Sequence, residues 1–346
     1  MSQFRSLIFE GGGVKGIAYA GAIKVLNEKN ILADICRVGG TSAGAITAAL
    51  LAFGAEWTDI RNIVGGTDFR KFMDDSWGLI RNLLRLVKNF GLYKGKSFTK
   101  WMQDQISTMT GNPNLTFADL ENLKAKNPAK FRSLYVVGTN LSKQIPEVFS
   151  AEKTPNMMIG EAIRISMSIP LFFTAIRYNN ETWVDGGITW NYPIDIFDNK
   201  KYISDPENLS LYEVPEHPKG FDQDYIYNKE TLGFRVDTKE EIAVMKRTME
   251  LPSIRIKSIK DYLKTTLGFM TDIANKAHLQ ENDWHRTVFI DAKGVKTTDF
   301  GLSENRIEEL IQSGEDGAKE YFKWFEDKRQ RPRNRCKENA KIAVTK

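Results

Sequence analysis

Five residues, Gly40-Thr41-Ser42-Ala43-Gly44, constrain this chain more than any other stretch. They lie between an apolar run, Ile35-Cys36-Arg37-Val38, and an Ala-rich run, Ala45-Ile46-Thr47-Ala48-Ala49-Leu50-Leu51. That order predicts a strand, a sharp turn at Ser42 and a helix. Side chains two residues either side of the serine would block the turn and anything approaching it, which is the use of Gly40 and Gly44 in a Gly-x-Ser-x-Gly elbow. The helix that follows points its first N–H groups at the serine and favours negative charge there. A plain glycine-rich connection fits the same five residues, so the rest of the chain has to decide.

Upstream, Phe4-Arg5-Ser6-Leu7-Ile8-Phe9 reads as a strand running into Glu10-Gly11-Gly12-Gly13-Val14-Lys15-Gly16. Ile17, Ala20, Gly21, Ile23 and Leu26 then fall at helical spacing. Strand, glycine loop, helix, strand, elbow, helix is a right-handed parallel crossover by rule. Both loops therefore leave the C-terminal ends of neighbouring parallel strands, where open α/β sheets place ligands. Gly11, Gly13 and Gly16 also match the dinucleotide fingerprint Gly-x-Gly-x-x-Gly. That fingerprint wants an acid at the end of the second strand, and here Arg37-Val38-Gly39 stands in its place. The other reading is that consecutive glycine N–H groups form an oxyanion hole beside Ser42.

The chain of 346 residues has room for one large domain or two ordinary ones, and 41% hydrophobic residues with seven Trp supply a sizeable core. The two Cys, Cys36 and Cys336, are far apart and predict no disulfide framework, so a reducing, cytoplasmic setting is expected. Leu7-Ile8-Phe9 is too short for a signal-peptide core, and no run approaches a membrane span. Residues 328–346 hold eight Lys/Arg against one acid, Glu338, so the net charge of +5 belongs to that tail. A basic tail can bind anionic lipid or nucleic acid, but a disordered, solvated terminus is the expectation and no nucleic-acid partner is expected.

Further along, Glu56 to Val64 and Ser97 to Ile106 read as helices. From Trp77 to Phe90 a helical wheel separates Trp77, Leu79, Ile80, Leu83, Leu84, Leu86, Val87 and Phe90 from Arg81, Asn82, Arg85, Lys88 and Asn89. This suits a cap helix over the core or an interfacial helix on a membrane surface. Leu134 to Thr139 is a buried-type strand, and Ile145 to Phe149 an edge strand because of Pro146. Gly160 to Ser166 is helical, and Glu181-Thr182-Trp183-Val184 is a strand leading into Asp185-Gly186-Gly187. Lys200 to Asn228 reads as a long surface loop, Thr231 to Val236 and Arg286 to Ile290 as strands, and Ser253 to Glu281 and Glu304 to Phe325 as helices. The simplest division is one domain over 4–327, with a motif-bearing core in 4–200, a C-terminal part in 201–327 and the tail beyond.

A serine nucleophile needs a base, usually a His held by a carboxylate. The three His are His217 in a polar loop and His278 and His285 in or after the long C-terminal helix, none beside a glycine turn at a strand end. Asp185 does stand at a strand end, with Gly186 and Gly187 behind it. A glycine loop, a serine elbow and a strand-end Asp-Gly-Gly, in this order and without a candidate His, point to a Ser–Asp dyad.

That set resembles the patatin-like phospholipase family. Its elements stand here as Gly11-Gly12-Gly13-Val14-Lys15-Gly16, Gly40-Thr41-Ser42-Ala43-Gly44 and Asp185-Gly186-Gly187, with supporting matches at Ser166-Met167-Ser168-Ile169-Pro170 and Asn191-Tyr192-Pro193. Glu10 stands where the family often has Asp, and Lys15 where Arg is common. The likeness covers about 4–200, with a weaker echo at Thr231 to Glu241. It implies an α/β fold of three layers around a mostly parallel sheet. It also implies an acyl hydrolase of phospholipase A or lysophospholipase type, acting on glycerolipid esters at a membrane surface. Ser42 would be the nucleophile and Asp185 its base, with Gly11, Gly12, Gly13, Ala43 and Lys15 around the oxyanion. No metal or other cofactor is expected. A lipase or thioesterase on other acyl esters, or a non-catalytic lipid- or partner-binding protein on the same fold, remain the rival readings. A carboxylate base puts the acid limb of activity below the His value of about 6.5, unless burial raises the Asp strongly.

Overall fold

The computed structural model describes residues 2–73, 91–204, 223–245, 255–258, 262, 265, 282–297 and 299–336. The elements run β1 (Ser6–Phe9), α1 (Tyr19–Glu28), β2 (Arg37–Thr41), α2 (Ala43–Ala52), α3 (Trp57–Ile60), β3 (Gly91–Tyr93), α4 (Lys96–Thr110), α5 (Phe117–Lys126) and β4 (Ser133–Asn140). They continue with β5 (Ile145–Phe149), α6 (Ile159–Ser166), β6 (Leu171–Phe173), β7 (Ile176–Tyr178), β8 (Glu181–Asp185), β9 (Thr231–Asp237), α7 (Lys239–Met245), β10 (Thr287–Asp291) and α8 (Glu304–Glu326).

The main sheet has the order β10-β9-β1-β2-β4-β8-β7, with β5 on β4. The strands from β10 to β4 are parallel, and β5, β8 and β7 join antiparallel. A small second sheet pairs β3 with β6. Alternation along the strands sets the two faces. Leu7, Phe9, Leu134 and Val136 point into the main core with the helices, while Ile8, Tyr135 and Val137 point the other way. Among the described residues that second face is covered by Tyr192, Ile194, Phe197 and Tyr202, from an irregular segment. The sheet is flanked by helices and mostly parallel, as expected.

Helix α2 shows why the elbow is central. All of its residues are buried, so it has no polar face. A helix apolar all round belongs inside the fold. It lies so close to β1 that a Cβ on Gly44 would come 2.2 Å from the Phe9 carbonyl. Glycine at that position is a packing requirement.

Several expectations change. The glycine loop is a 3-10 turn, Gly13–Ala18, before α1 begins. The helix expected over Glu56 to Val64 becomes α3 and a π turn, Arg61–Gly65. The end of the expected surface loop is buried at Tyr225, Ile226, Tyr227 and Asn228. Its polar groups serve an interior ion pair, because Arg286 meets Asp198 at 2.6 Å and Asp283 at 2.7 Å, and Asn228 N donates to Asp198 Oδ1 at 3.1 Å. Composition alone reads such residues as solvated. The tail expected to be disordered begins packed on the body: Asn334 is buried, its Nδ2 donates to the Tyr321 hydroxyl, and Cys336 N donates to Gln3 Oε1. The helices expected over Trp77 to Phe90 and over most of Ser253 to Glu281, His217, His278 and residues 337–346 lie outside the described residues. Cys36 and Cys336 are not in a disulfide. Among the described residues no helix is long and apolar enough to cross a membrane, and no cluster of His, Cys, Asp and Glu could hold a metal.

Candidate active site

Strand register brings Ser42 and Asp185 together. β2 runs parallel to β4 and ends with Thr41 opposite Val137. β8 runs antiparallel to β4 and ends with Asp185 opposite Gly138. Val136 and Val137 pair with both β2 and β5, and Gly138 to Asn140 with both β5 and β8. β2 and β8 therefore lie on the same side of β4 and meet end to end. Ser42 leaves one tip and Asp185 forms the other. Ser42 Oγ donates to Asp185 Oδ2 at 2.8 Å.

Ser42 has φ 54° and ψ −126°, a backbone that L-residues avoid. Such strain costs about 1–3 kcal/mol and survives where neighbours over-determine it. The neighbour here is Ser166 at the end of α6. Ser42 N donates to Ser166 Oγ at 2.8 Å, and Ser166 Oγ donates to Val137 O at 2.6 Å. Met167 Sδ is 3.5 Å from Ser42 Oγ. Sequence reading picked out the Ser166 to Pro170 segment by resemblance and missed what Ser166 does.

Asp185 is 4% exposed. Its Oδ1 accepts from Gly187 N at 2.7 Å, its N–H donates to Ser168 O, and its carbonyl accepts from Thr139 Oγ1. Burial raises its carboxyl to about 7, against the pull of the Gly187 N–H and the Ser42 hydroxyl toward the ionised form. The exception to a low acid limb therefore applies, and the expected value moves up. His285 is not in this constellation. Its Nδ1 accepts from Arg333 N at 2.8 Å, and its ring packs on Trp284 and Trp324.

The glycine loop abuts the serine, since a Cβ on Gly11 would lie 3.1 Å from Ser42 Cβ. Gly13 has φ +57°, and a Cβ there would be 2.1 Å from Thr297 O. Among the described residues the N–H groups of Gly12, Gly13 and Ala43 have no protein acceptor. Two of the expected oxyanion residues have protein partners. Gly11 N donates to Asn191 O at 3.1 Å, and Lys15 Nζ donates to Val236 O at 2.8 Å. Behind the loop sits a buried charge cluster that sequence reading touched only as the echo near Thr231. Arg235 grips Asp237 with two hydrogen bonds of 3.0 and 2.9 Å and meets Glu10 at 3.2 Å. Burial raises the Glu10 carboxyl to about 8, opposed by Arg235 and reinforced by Asp237. Its sequence signal was a charge pair two residues apart at the end of a buried strand.

Beside Ser42 lies a narrow apolar pocket with Ala43, Ile46, Met167, Ile169, Phe172 and Phe300 in its wall.

Comparison with known proteins bears on the family and the fold. The family model described as patatin-like phospholipase matches residues 7–198. The uncharacterized protein YqhO of Bacillus subtilis (strain 168) is 27% identical over 321 residues, 89% of this chain and 94% of that protein. The probable lipid hydrolase 463L of Invertebrate iridescent virus 6 is 28% identical over 206 residues. That match covers 57% of this chain and 66% of 463L, just under two thirds. Among solved structures, VipD from Legionella pneumophila shares the fold with a TM-score of 0.55 at 20% identity, over 93% of this chain and 67% of that one.

Proposed function

This chain belongs to the patatin-like phospholipase family, and from that premise we propose that it hydrolyses glycerolipid esters, as a phospholipase A or lysophospholipase, through Ser42 and Asp185. The observation that carries the reading is the 2.8 Å hydrogen bond from Ser42 Oγ to Asp185 Oδ2. The base is already on the nucleophile's proton, with no third residue between them.

Ser42 Oγ attacks the ester carbonyl as its proton passes to Asp185 Oδ2. The carbonyl oxygen gathers negative charge and takes hydrogen bonds from the N–H groups of Gly12, Gly13 and Ala43, at the N-terminus of α2. Such donors are each worth roughly 10²–10³ in rate. Asp185 returns the proton to the departing lysolipid or glycerol oxygen, leaving an acyl ester on Ser42. Water then attacks that ester, Asp185 takes the water's proton, and the fatty acid leaves with Ser42 restored. A carboxyl raised to about 7 by burial suits both directions of transfer near neutrality. The acyl chain lies along the apolar pocket, whose wall begins at Ala43 and Met167.

The test is a lipid profile of cells expressing the active chain or Ser42→Ala, with purified protein assayed on phospholipid, lysophospholipid, triacylglycerol and acyl thioester. Free fatty acid from phospholipid or lysophospholipid, absent with Ser42→Ala, is expected. Turnover confined to triacylglycerol or thioester would move the substrate class, and none on any ester would leave a binding protein.

A further inference from the structure

The dipeptide Trp190-Asn191 follows the Asp185 turn and touches both other motifs. Thr41, the residue before Ser42, donates through Oγ1 to the Trp190 carbonyl at 2.9 Å. Gly11 N donates to the Asn191 carbonyl at 3.1 Å, and Asn191 Nδ2 donates back to Gly11 O at 2.9 Å. The same amide nitrogen lies 3.3 Å from Glu10 Oε1. One residue thus holds both polar groups of one glycine. Its Oδ1 sits 2.3 Å from where a Cβ on Gly11 would be and 2.8 Å from where one on Gly187 would be. The carboxamide is wedged between the glycine loop and the turn behind Asp185.

Three consecutive glycines make a backbone with little preference of its own. An oxyanion hole needs donors aimed before the charge develops. Gly11 C=O and Gly12 N–H belong to one planar trans peptide and point in opposite directions. Whatever fixes that carbonyl therefore aims that N–H. We propose that Asn191 is a positioning residue for the reaction: its carboxamide fixes the peptide plane that carries the Gly12 N–H beside Ser42. This rests on the Ser42–Asp185 reading above and adds to it a residue that touches no substrate. A simple loop staple would hold the chain anywhere along the loop. Asn191 holds the peptide next to the donors that have no protein acceptor, and it comes from the segment that carries the base.

The experiment compares wild type, Asn191→Asp and Asn191→Ala. Asn191→Asp keeps the shape and sets a carboxylate oxygen against the Gly11 carbonyl, which can only accept. The measurements are the rate of Ser42 labelling by an alkyl fluorophosphonate, kcat and KM for a short soluble ester, and a melting curve. Expected are a cooperative melt in both variants, KM within about threefold, and kcat and labelling rate both lower by about 10- to 100-fold. Asn191→Asp should be no better than Asn191→Ala, although it fills the same space. A folded Asn191→Asp that labels at the wild-type rate would overturn the proposal. So would loss of the folded melt in both variants, which reduces Asn191 to a structural staple. Failure of the wild type to label at Ser42 overturns the dyad reading itself, and the positioning role with it.

Discussion

Thr41 and Asp185 face adjacent residues of β4, Val137 and Gly138, from strands that run toward each other. Ser42 and Asp185 are therefore placed by register rather than by a long loop. A one-residue slip of either strand would turn a side chain to the other face and break the pair.

The strain at Ser42 is measurable. Glycine adopts φ 54°, ψ −126° more readily than serine. At pH 5, where Asp185 is protonated, Ser42→Gly should match or exceed wild-type stability in urea, by up to about 1 kcal/mol, with no activity. A loss of more than about 1 kcal/mol would mean that the elbow is relaxed.

The contribution of Asp185 to stability should fall as pH rises. Its folded value of about 7 lies above an unfolded value near 3.9, so between them the native state binds the extra proton. The Asp185 contribution to stability is full below the unfolded value and declines until pH passes about 7. Asp185→Asn removes this dependence, so its advantage over wild type in urea should grow from pH 4 to pH 8. An advantage independent of pH would contradict the buried, raised carboxyl. The acid limb of kcat/KM should fall near 7 for the same reason.

Ser166 holds the elbow through Ser42 N and Val137 O. Ser166→Ala leaves two buried polar groups without their partner, at about 1–3 kcal/mol for each unsatisfied group. Melting should shift down, and kcat should fall by more than the folded fraction explains. Unchanged kcat in the folded protein would show that Ser166 is only a packing residue.

The pocket beside Ser42 should read acyl length. Ile169 lies in its wall and is half-buried, so a larger side chain can enter the pocket without rebuilding the core. Ile169→Trp should raise KM for long-chain esters at least tenfold and leave a short ester within about threefold. An equal effect on both would place the chain elsewhere.

Much of the site was legible because its chemistry is local. Glycines 40 and 44 around Ser42, the strand-end Asp185 and the parallel crossover are short-range patterns, and each is present. What sequence did not disclose is long-range pairing. Gly11 N donates to Asn191 O and Lys15 Nζ to Val236 O, partners about 180 and 220 residues away that no local pattern announces. The polar stretch ending at Asn228 read as solvent-facing because nothing local reveals that Asp198 and Arg286 form a buried pair beneath it. Burial of Asp185 was also invisible, since an Asp-Gly-Gly turn is ordinarily a surface feature, and this moves the expected pH limb.

The measurement that bears most directly on the dyad is turnover of a short soluble ester by Asp185→Asn, beside His285→Ala, with a melting curve for each. The side chain of Asp185→Asn fills the same space and cannot take the Ser42 proton. General-base contributions are typically about 10²–10⁴ in rate. Asp185→Asn is expected to lose at least 10²-fold in kcat while its melting transition stays in place or rises. His285→Ala should stay within a few-fold of wild type, because that imidazole is bonded to Arg333 N among Trp284 and Trp324. A folded Asp185→Asn that keeps more than about a tenth of wild-type kcat, or a folded His285→Ala that loses as much as Ser42→Ala, would contradict Asp185 as the base.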